Sequence, residues 1–156
     1  MTKRTGDTIV IELHDQPGHL IRRAHQIAVA VFFDKLGREV TPVQYAVLQV
    51  LKDKPGLDQL TLAQEVALDT STTADLAVRL EAKGWITREV MLRGQRRLEL
   101  TTEGRAVLRR LAAGIDKLQD ALLGRLSPKE QADFMRLLRK FVEVNNDLSR
   151  APLRRV

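Results

Sequence analysis

The sequence contains no cysteine. That absence removes disulfides, a thiol nucleophile and thiolate-ligated zinc together, and it fits a reducing compartment. Aromatic residues are scarce, at 4% of 156 residues, with one Trp and one Tyr among them. No apolar run approaches the roughly 20 residues needed to span a bilayer. The first residues, Met1-Thr-Lys-Arg-Thr-Gly-Asp7, carry charge but lack the apolar stretch of a signal peptide. A soluble, cytoplasmic protein without a membrane partner is expected. Signatures of catalysis are also missing: there is no Gly-rich phosphate loop and no Ser-His-Asp arrangement, so the chain is not expected to be an enzyme. The three histidines, His14, His19 and His25, are spaced by five and six residues. No pair has the i, i+4 step of a helical metal site and no HExxH occurs, so neither metal nor cofactor is expected.

What is present is enough for one domain: 44% hydrophobic and 29% charged residues, with 26 Lys and Arg against 20 Asp and Glu, net +6. The charge is unevenly placed. Residues 1–40 are net +1, residues 41–90 net −2, and residues 91–156 net +7, holding 15 basic side chains. A basic excess points to a polyanion, but only its location makes that an argument. Arg150, Arg154 and Arg155 belong to a C-terminal tail.

Residues 1–15 are aperiodic and read as a mobile arm, part of an N-terminal segment 1–16. Pro17 opens a helix ending at Gly37, with Leu20, Ala24, Ile27 and Val31 on one face. Thr41-Pro42-Val43-Gln44 is a capping box with Pro at the first helical position. Its helix runs through Val47, Val50 and Leu51 to about Lys54-Pro55-Gly56. Thr61-Leu62-Ala63-Gln64 reads as a second capping box before a short helix to about Ala67. Thr70 or Ser71 caps the next helix, through Leu76 and Leu80 to Gly84. The period then changes: Trp85 to Val90 and Arg96 to Thr101 read as a two-stranded hairpin turning at Arg93-Gly94. A helix from Thr101 or Thr102 presents Leu108, Leu111, Ile115, Leu118 and Leu122 as a narrow seam. Ser127-Pro128-Lys129-Glu130 starts the last helix, with Phe134, Leu137, Leu138, Phe141, Asn145 and Leu148 on one face.

The order is a mainly α chain with a small β-hairpin wing. It forms a winged helix-turn-helix lobe over residues 41–101, flanked by long helices over 17–40 and 102–148. Those flanking helices are longer than one small domain needs, and their apolar seams are expected to pack against a second copy. A homodimer over a single 1–156 domain is the economical arrangement.

Leu20-Ile21-Arg22-Arg23-Ala24, Thr41-Pro42-Val43-Gln44-Tyr45-Ala46-Val47-Leu48, Leu80-Glu81-Ala82-Lys83-Gly84-Trp85-Ile86 and Leu100-Thr101-Thr102-Glu103-Gly104 occur in this order. In that spacing the chain resembles the MarR family of winged helix-turn-helix transcriptional regulators from Pro17 to Leu148. It departs from the family's pattern at Ala74-Asp75, where a Thr-Arg pair is frequent. It departs again in the wing, where Leu92 to Arg97 is about two residues shorter and lacks an Asp-x-Arg pattern.

A winged helix-turn-helix places its second helix in the major groove of double-stranded DNA. Ser71, Thr72 and Thr73 then meet phosphates or base edges, aided by free backbone N–H groups. Asp75 either accepts from a cytosine amine or pairs with Arg79, and Arg79 is either a groove contact or that partner. The wing offers Arg93, Arg96 and Arg97 to phosphate or minor groove; Arg96 and Arg97 point to opposite faces, so one of them faces DNA. Dimeric binding predicts a pseudo-palindromic operator and repression by promoter occupancy. The competing expectation is a ligand-independent or non-specific DNA-coating protein, and charge alone supports coating.

MarR-like proteins commonly bind small phenolic or aromatic carboxylates between the dimerisation helices and the DNA-binding lobe. The resemblance places His19, Arg22 and Tyr45 in that cleft, with Arg23 nearby. His19 and Arg23 are four apart, and Arg22 lies three from both His19 and His25, so anion-holding groups cluster beside an apolar stripe. Leu20-Ile21-Arg22-Arg23-Ala24-His25-Gln26 resembles repressors of aromatic-acid catabolism of the nicotinate and benzoate type. A small aromatic acid effector is the expected ligand. The plainer alternative is that Arg22 and Arg23 pair with acids across the dimer while His19 is solvated.

Overall fold

The computed structural model describes the backbone of residues 3–5 and 8–154 and the side chains of residues 11–92 and 94–154. The chain starts with two short strands, β1 (Lys3–Thr5) and β2 (Thr8–Val10), paired antiparallel with Lys3 opposite Val10 and Thr5 opposite Thr8. This corrects the expectation of an aperiodic arm: β-branched Thr8, Ile9 and Val10 favour extended backbone over so short a stretch. Met1, Thr2, Gly6 and Asp7 of that arm lie outside the described residues.

A 3-10 turn at Leu13–Asp15 leads into α1 (Pro17–Leu36), which begins on Pro17 and ends where the Gly37 N–H donates to the Phe33 carbonyl at 3.1 Å. Next comes α2 (Pro42–Asp53), whose capping box is complete. The Gln44 N–H donates to Thr41 Oγ1 at 3.2 Å, and the Thr41 N–H donates to Gln44 Oε1 at 3.1 Å.

Strand β3 (Leu57–Asp58) then enters α3 (Gln59–Glu65), and α4 (Thr70–Ala82) follows. Both helices start earlier than their hydroxyl residues imply. Asp58 accepts from the N–H groups of Leu60 and Thr61, and Asp69 accepts from that of Thr72. Each Asp also takes the hydroxyl of the Thr three residues on, at 2.6 and 2.7 Å. A carboxylate satisfies several orphan donors and complements the helix dipole, so it displaces Thr61, Thr70 and Ser71 as caps.

Strands β4 (Ile86–Val90) and β5 (Arg96–Leu100) flank a 3-10 turn at Leu92–Gly94. The sheet has three strands in the order β3-β5-β4, with Leu57 opposite Leu98 and Ile86 opposite Leu100. The expected two-stranded hairpin thus gains a third strand, which at two residues is too short to show alternation. Two long helices close the chain, α5 (Thr102–Leu123) and α6 (Pro128–Val144), the latter with a Ser127–Glu130 capping box.

The architecture is mainly helical with a small antiparallel wing, as the residue pattern implies. Its buried core joins Val47, Leu48 and Leu51 of α2, Leu62 of α3 and Leu80 of α4 to Trp85, Ile86, Leu98, Leu100 and the base of α5. Gly104 is required there, because any Cβ would collide with the Trp85 carbonyl. Beside it, the Thr101 N–H donates to Trp85 O at 3.0 Å and the Thr101 hydroxyl to Gly84 O at 2.6 Å. Arg110 of α5 reaches Glu39 at 3.0 Å and Glu103 at 3.1 Å, tying the entry of α2 to α5.

Helix α1 packs along α5, whereas α6 has no buried residue. The end of α6 is tethered differently. Asn146 clamps the backbone of Leu153 at 2.8 and 3.1 Å, and the Arg154 N–H donates to the Gln64 carbonyl of α3 at 3.1 Å. The C-terminal segment thereby runs from α6 back to the helix-turn-helix; Arg155 lies outside the described residues.

Candidate functional site

Helix α4 presents Ser71, Thr72, Asp75, Val78 and Arg79 outward. Thr73 does not join them. Its side chain is buried and its hydroxyl donates to the Asp69 carbonyl at 2.9 Å, so it anchors the helix start and cannot meet a groove. Two of the N–H groups expected to be free are taken: Asp69 accepts that of Thr72 through its carboxylate and that of Thr73 through its carbonyl. The Thr72 N–H and hydroxyl hold the Asp69 carboxyl below the usual range, with a smaller contribution from Arg150. Asp75 and Arg79 form no ion pair among the described residues, which leaves both available to a partner. Val78, missed from the sequence, adds an exposed methyl pair on the same face. Its position three residues after Asp75 is the signal that could have found it.

The wing separates its two adjacent arginines. Arg97 pairs with Glu99 at 2.6 Å and lies against Gly56. Arg96 faces a cleft of about 360 Å³ that also involves Asp58, Gln59, Leu60, Thr70, Gly94 and Gln95. The wing tip and the N-terminus of α4 therefore border one concave surface. The Arg93 side chain lies outside the described residues. Arg88, which sequence reasoning passed over, donates to Glu81 of α4 through Nε at 2.8 Å and pairs with it through Nη2 at 2.6 Å. It braces the wing on the helix, and its hydrogen bond pulls the Glu81 carboxyl down.

Two further clefts involve the proposed anion-holding residues. The first, about 370 Å³, is lined by His14, His19, Leu20, Arg23, Ala24 and Ile27. The His14 and His19 rings meet edge-on at 5.3 Å, and Arg22 contacts His19 Nδ1 at 3.4 Å and Gln26 at 3.0 Å. Loss of water around the ring, then the charges of Arg22, His14 and Arg23, keep His19 below its ordinary range. A neutral His19 is consistent with its Nδ1 accepting from Arg22.

Tyr45 lies elsewhere. It packs beside Phe32, with ring centroids 6.1 Å apart, and lines a cleft of about 470 Å³ between α2 and α5. Gln49, Lys52, Arg105, Arg109, Leu108, Ala112, Ile115 and Asp116 complete that lining. Burial, then Asp53, raises the Tyr45 hydroxyl, so it stays a donor at neutral pH. Within one chain the four expected ligand residues thus divide into two groups. Lys52, Arg105 and Arg109 were missed, although 45, 49 and 52 on α2 and 105, 109, 112 and 116 on α5 each follow a helical stripe. No group of three or more His, Asp or Glu residues positioned to hold a metal occurs among the described residues. No helix among them is long and apolar enough to cross a membrane.

The family profile of MarR matches residues 40–91. The transcriptional regulator HosA of Escherichia coli is 34% identical over 132 residues, 83% of this chain and 97% of HosA. The PcaV transcriptional regulator from Streptomyces coelicolor, in complex with its natural ligand, is 37% identical with a TM-score of 0.80 over 86% of this chain and 96% of PcaV. BpsR of Bordetella bronchiseptica, whose DNA binding is regulated by 6-hydroxynicotinic acid, is 27% identical with a TM-score of 0.80. That match covers 86% of this chain and 98% of BpsR.

Proposed function

The chain belongs to the MarR family of transcriptional regulators, and from that premise we propose that it is a homodimeric repressor released from its operator by a small aromatic carboxylate or phenol. The observation that carries this reading is the cleft between α2 and α5, where Lys52, Arg105 and Arg109 stand around Tyr45 beside Leu108, Ala112 and Ile115. A guanidinium holds a carboxylate bidentately, a protonated phenol donates to a ring substituent, and the aliphatic wall covers a ring face. The cleft bridges the DNA-binding lobe and the helix leading out of it. An occupant can therefore bias how the lobe is held, provided it binds one arrangement better than the other. His19, Arg22 and Arg23 form a second anion-holding group on α1. The regulation of BpsR by 6-hydroxynicotinic acid supports an effector of this class.

Dimerisation is supported by the apolar faces that a single chain leaves open: Leu20, Ile21 and Ile27 on α1, and Phe134, Leu137, Leu138 and Phe141 on α6. On DNA, Ser71, Thr72, Asp75 and Arg79 enter the major groove and Arg96 meets the backbone or minor groove. The reading helices are not the source of positive charge, since residues 58–84 are net −3. Affinity then derives from the wing and its basic surroundings, and sequence discrimination from hydroxyl, carboxylate and methyl groups on α4.

The test is footprinting followed by release. The expected results are a discrete protected palindrome and binding that weakens with salt at a log–log slope near −0.9 per neutralised phosphate. 6-Hydroxynicotinate or a related aromatic acid is expected to release the complex. Release weakens in Arg109→Ala if the α2–α5 cleft is the site, and in His19→Ala or Arg22→Ala if the α1 group contributes. Unchanged release in all three variants overturns the ligand assignment. Uniform protection without a palindrome replaces repression by non-specific DNA coating.

A further inference from the structure

Val90, Met91 and Leu92 run consecutively into the tip of the wing, and all three are exposed, Leu92 at 92% of its full area. Hairpin turns are ordinarily built from Gly, Asn, Asp, Ser and Pro, so three apolar side chains here contribute nothing to the turn itself. Nor do they fill the core, whose strand residues are Leu98, opposite Arg88 at the middle of the hairpin, and Ile86 and Leu100 at its far end. The tip also has a defined shape. The Met91 N–H donates to the Gln95 carbonyl at 2.7 Å, the Gly94 N–H donates to the Met91 carbonyl at 3.1 Å, and Gly94 sits at φ +76°.

Position identifies the occupant. Gly94, Gln95 and Arg96 of the wing share a concave surface with Thr70 at the start of α4, so the tip projects on the side where α4 meets DNA. Among the described wing arginines, Arg88 and Arg97 are engaged by Glu81 and Glu99, whereas Arg96 forms no ion pair there and acts on Glu81 only through the smallest of the charges that lower its carboxyl. The described wing therefore offers one guanidinium beside an apolar point. That combination fits the minor groove, whose potential attracts a cation and whose base steps admit an aliphatic wedge.

We propose that Leu92 is an apolar wedge that enters the minor groove of the operator, with Met91 and Val90 behind it against the sugar edges. The minor groove offers a degenerate hydrogen-bond code, so Leu92 reads deformability. It favours an easily unstacked pyrimidine–purine step where the wing lands. The inference rests on the DNA-binding reading above, and the experiment separates the two.

A duplex is selected from a random pool by the wild-type protein, and binding is followed by fluorescence anisotropy across a salt series. Leu92→Ser weakens binding about tenfold at every salt concentration, the low end of what burying a leucine yields. It leaves the log–log salt slope unchanged and narrows the preference for a TA over a GG step at the wing position. Leu92→Met, which keeps the apolar area, restores both. Arg96→Ala instead flattens the slope by about 0.9. Because Leu92 is exposed, the thermal midpoint of Leu92→Ser stays at the wild-type value. If wild type selects no discrete duplex, the DNA reading fails and the wedge fails with it. If wild type selects one and Leu92→Ser matches it in affinity and step preference, the wedge alone is overturned, leaving the tip as a protein-docking point.

Discussion

In α2, Val47, Leu48 and Leu51 are sealed beneath α3, α4, the wing and the base of α5. In α6, Phe134, Leu137, Leu138 and Phe141 follow a similar helical spacing, and all four remain exposed. The two helices carry comparable capping boxes and comparable stripes, yet only the first finds its partners within its own chain. The lobe consequently buries its stripe against elements of the same chain, α5 among them. The outer helix needs a further surface to bury an area that water would otherwise cover. The C-terminal segment links the two regimes, because it hangs from Asn146 after α6 and hydrogen-bonds α3 through Arg154.

The sharpest way to break the contrast is Phe141→Glu. On the proposed dimer, placing a charge on the open face of α6 is expected to give a monomer in sedimentation and to lower affinity for the proposed palindromic duplex on the order of a hundredfold, the loss of linked binding. The thermal unfolding of the lobe is left essentially unchanged. An equally dimeric variant would remove α6 from the interface. Leu48→Ala tests the other side of the comparison. At 0% exposure, its truncation leaves a cavity and costs about 2–5 kcal/mol in urea unfolding. The unfolding transition is expected to shift as a whole, because α2 packs on α3, β5 and α5.

The smallest effect is acid sensitivity. Asp58 and Asp69 cap the two helices of the helix-turn-helix, and both carboxyls are held below the ordinary value of 3.8. For Asp58 the Thr61 hydroxyl is the main cause, and for Asp69 the Thr72 N–H. A depressed folded pKa stabilises fully above the unfolded value and is lost as pH falls through the folded one. The lobe's melting temperature is therefore flat near neutrality and falls below about pH 4. Asp69→Asn keeps a cap acceptor without titrating, so its acid limb is shallower than wild type. An unchanged limb would assign the acid sensitivity to other carboxylates.

Much of the fold was legible in the residues. Pro17, the Thr41–Gln44 box, Thr101 and the Ser127–Glu130 box mark helix starts that the structure keeps, the first through the fixed φ of proline and the other three through local cap hydrogen bonds. The caps of α3 and α4 were misplaced because Thr61, Thr70 and Ser71 are good caps in isolation. Only the folded backbone shows a carboxylate already taking the same donors. Strand β3 was invisible, since two residues have no period. Of the expected DNA contacts, Ser71, Asp75, Arg79 and Arg96 are exposed, whereas Thr73 is turned inward. Tyr45 was found without Lys52, Arg105 and Arg109, because their meeting depends on which faces of α2 and α5 oppose each other.

The missing cysteine, the scarcity of aromatics and the lopsided charge already determine a basic chain without disulfides, whose helices and wing follow in a readable order. Those properties are local or additive, and each is complete within a few neighbouring residues. What the tertiary structure decided is which of the side chains remain free. Arg97 is consumed by Glu99, Arg88 by Glu81 and the Thr73 hydroxyl by Asp69, while Arg96, Asp75 and Leu92 are left to face outward. A side chain's availability depends on what the rest of the chain brings within hydrogen-bonding distance, and sequence spacing alone does not carry that information.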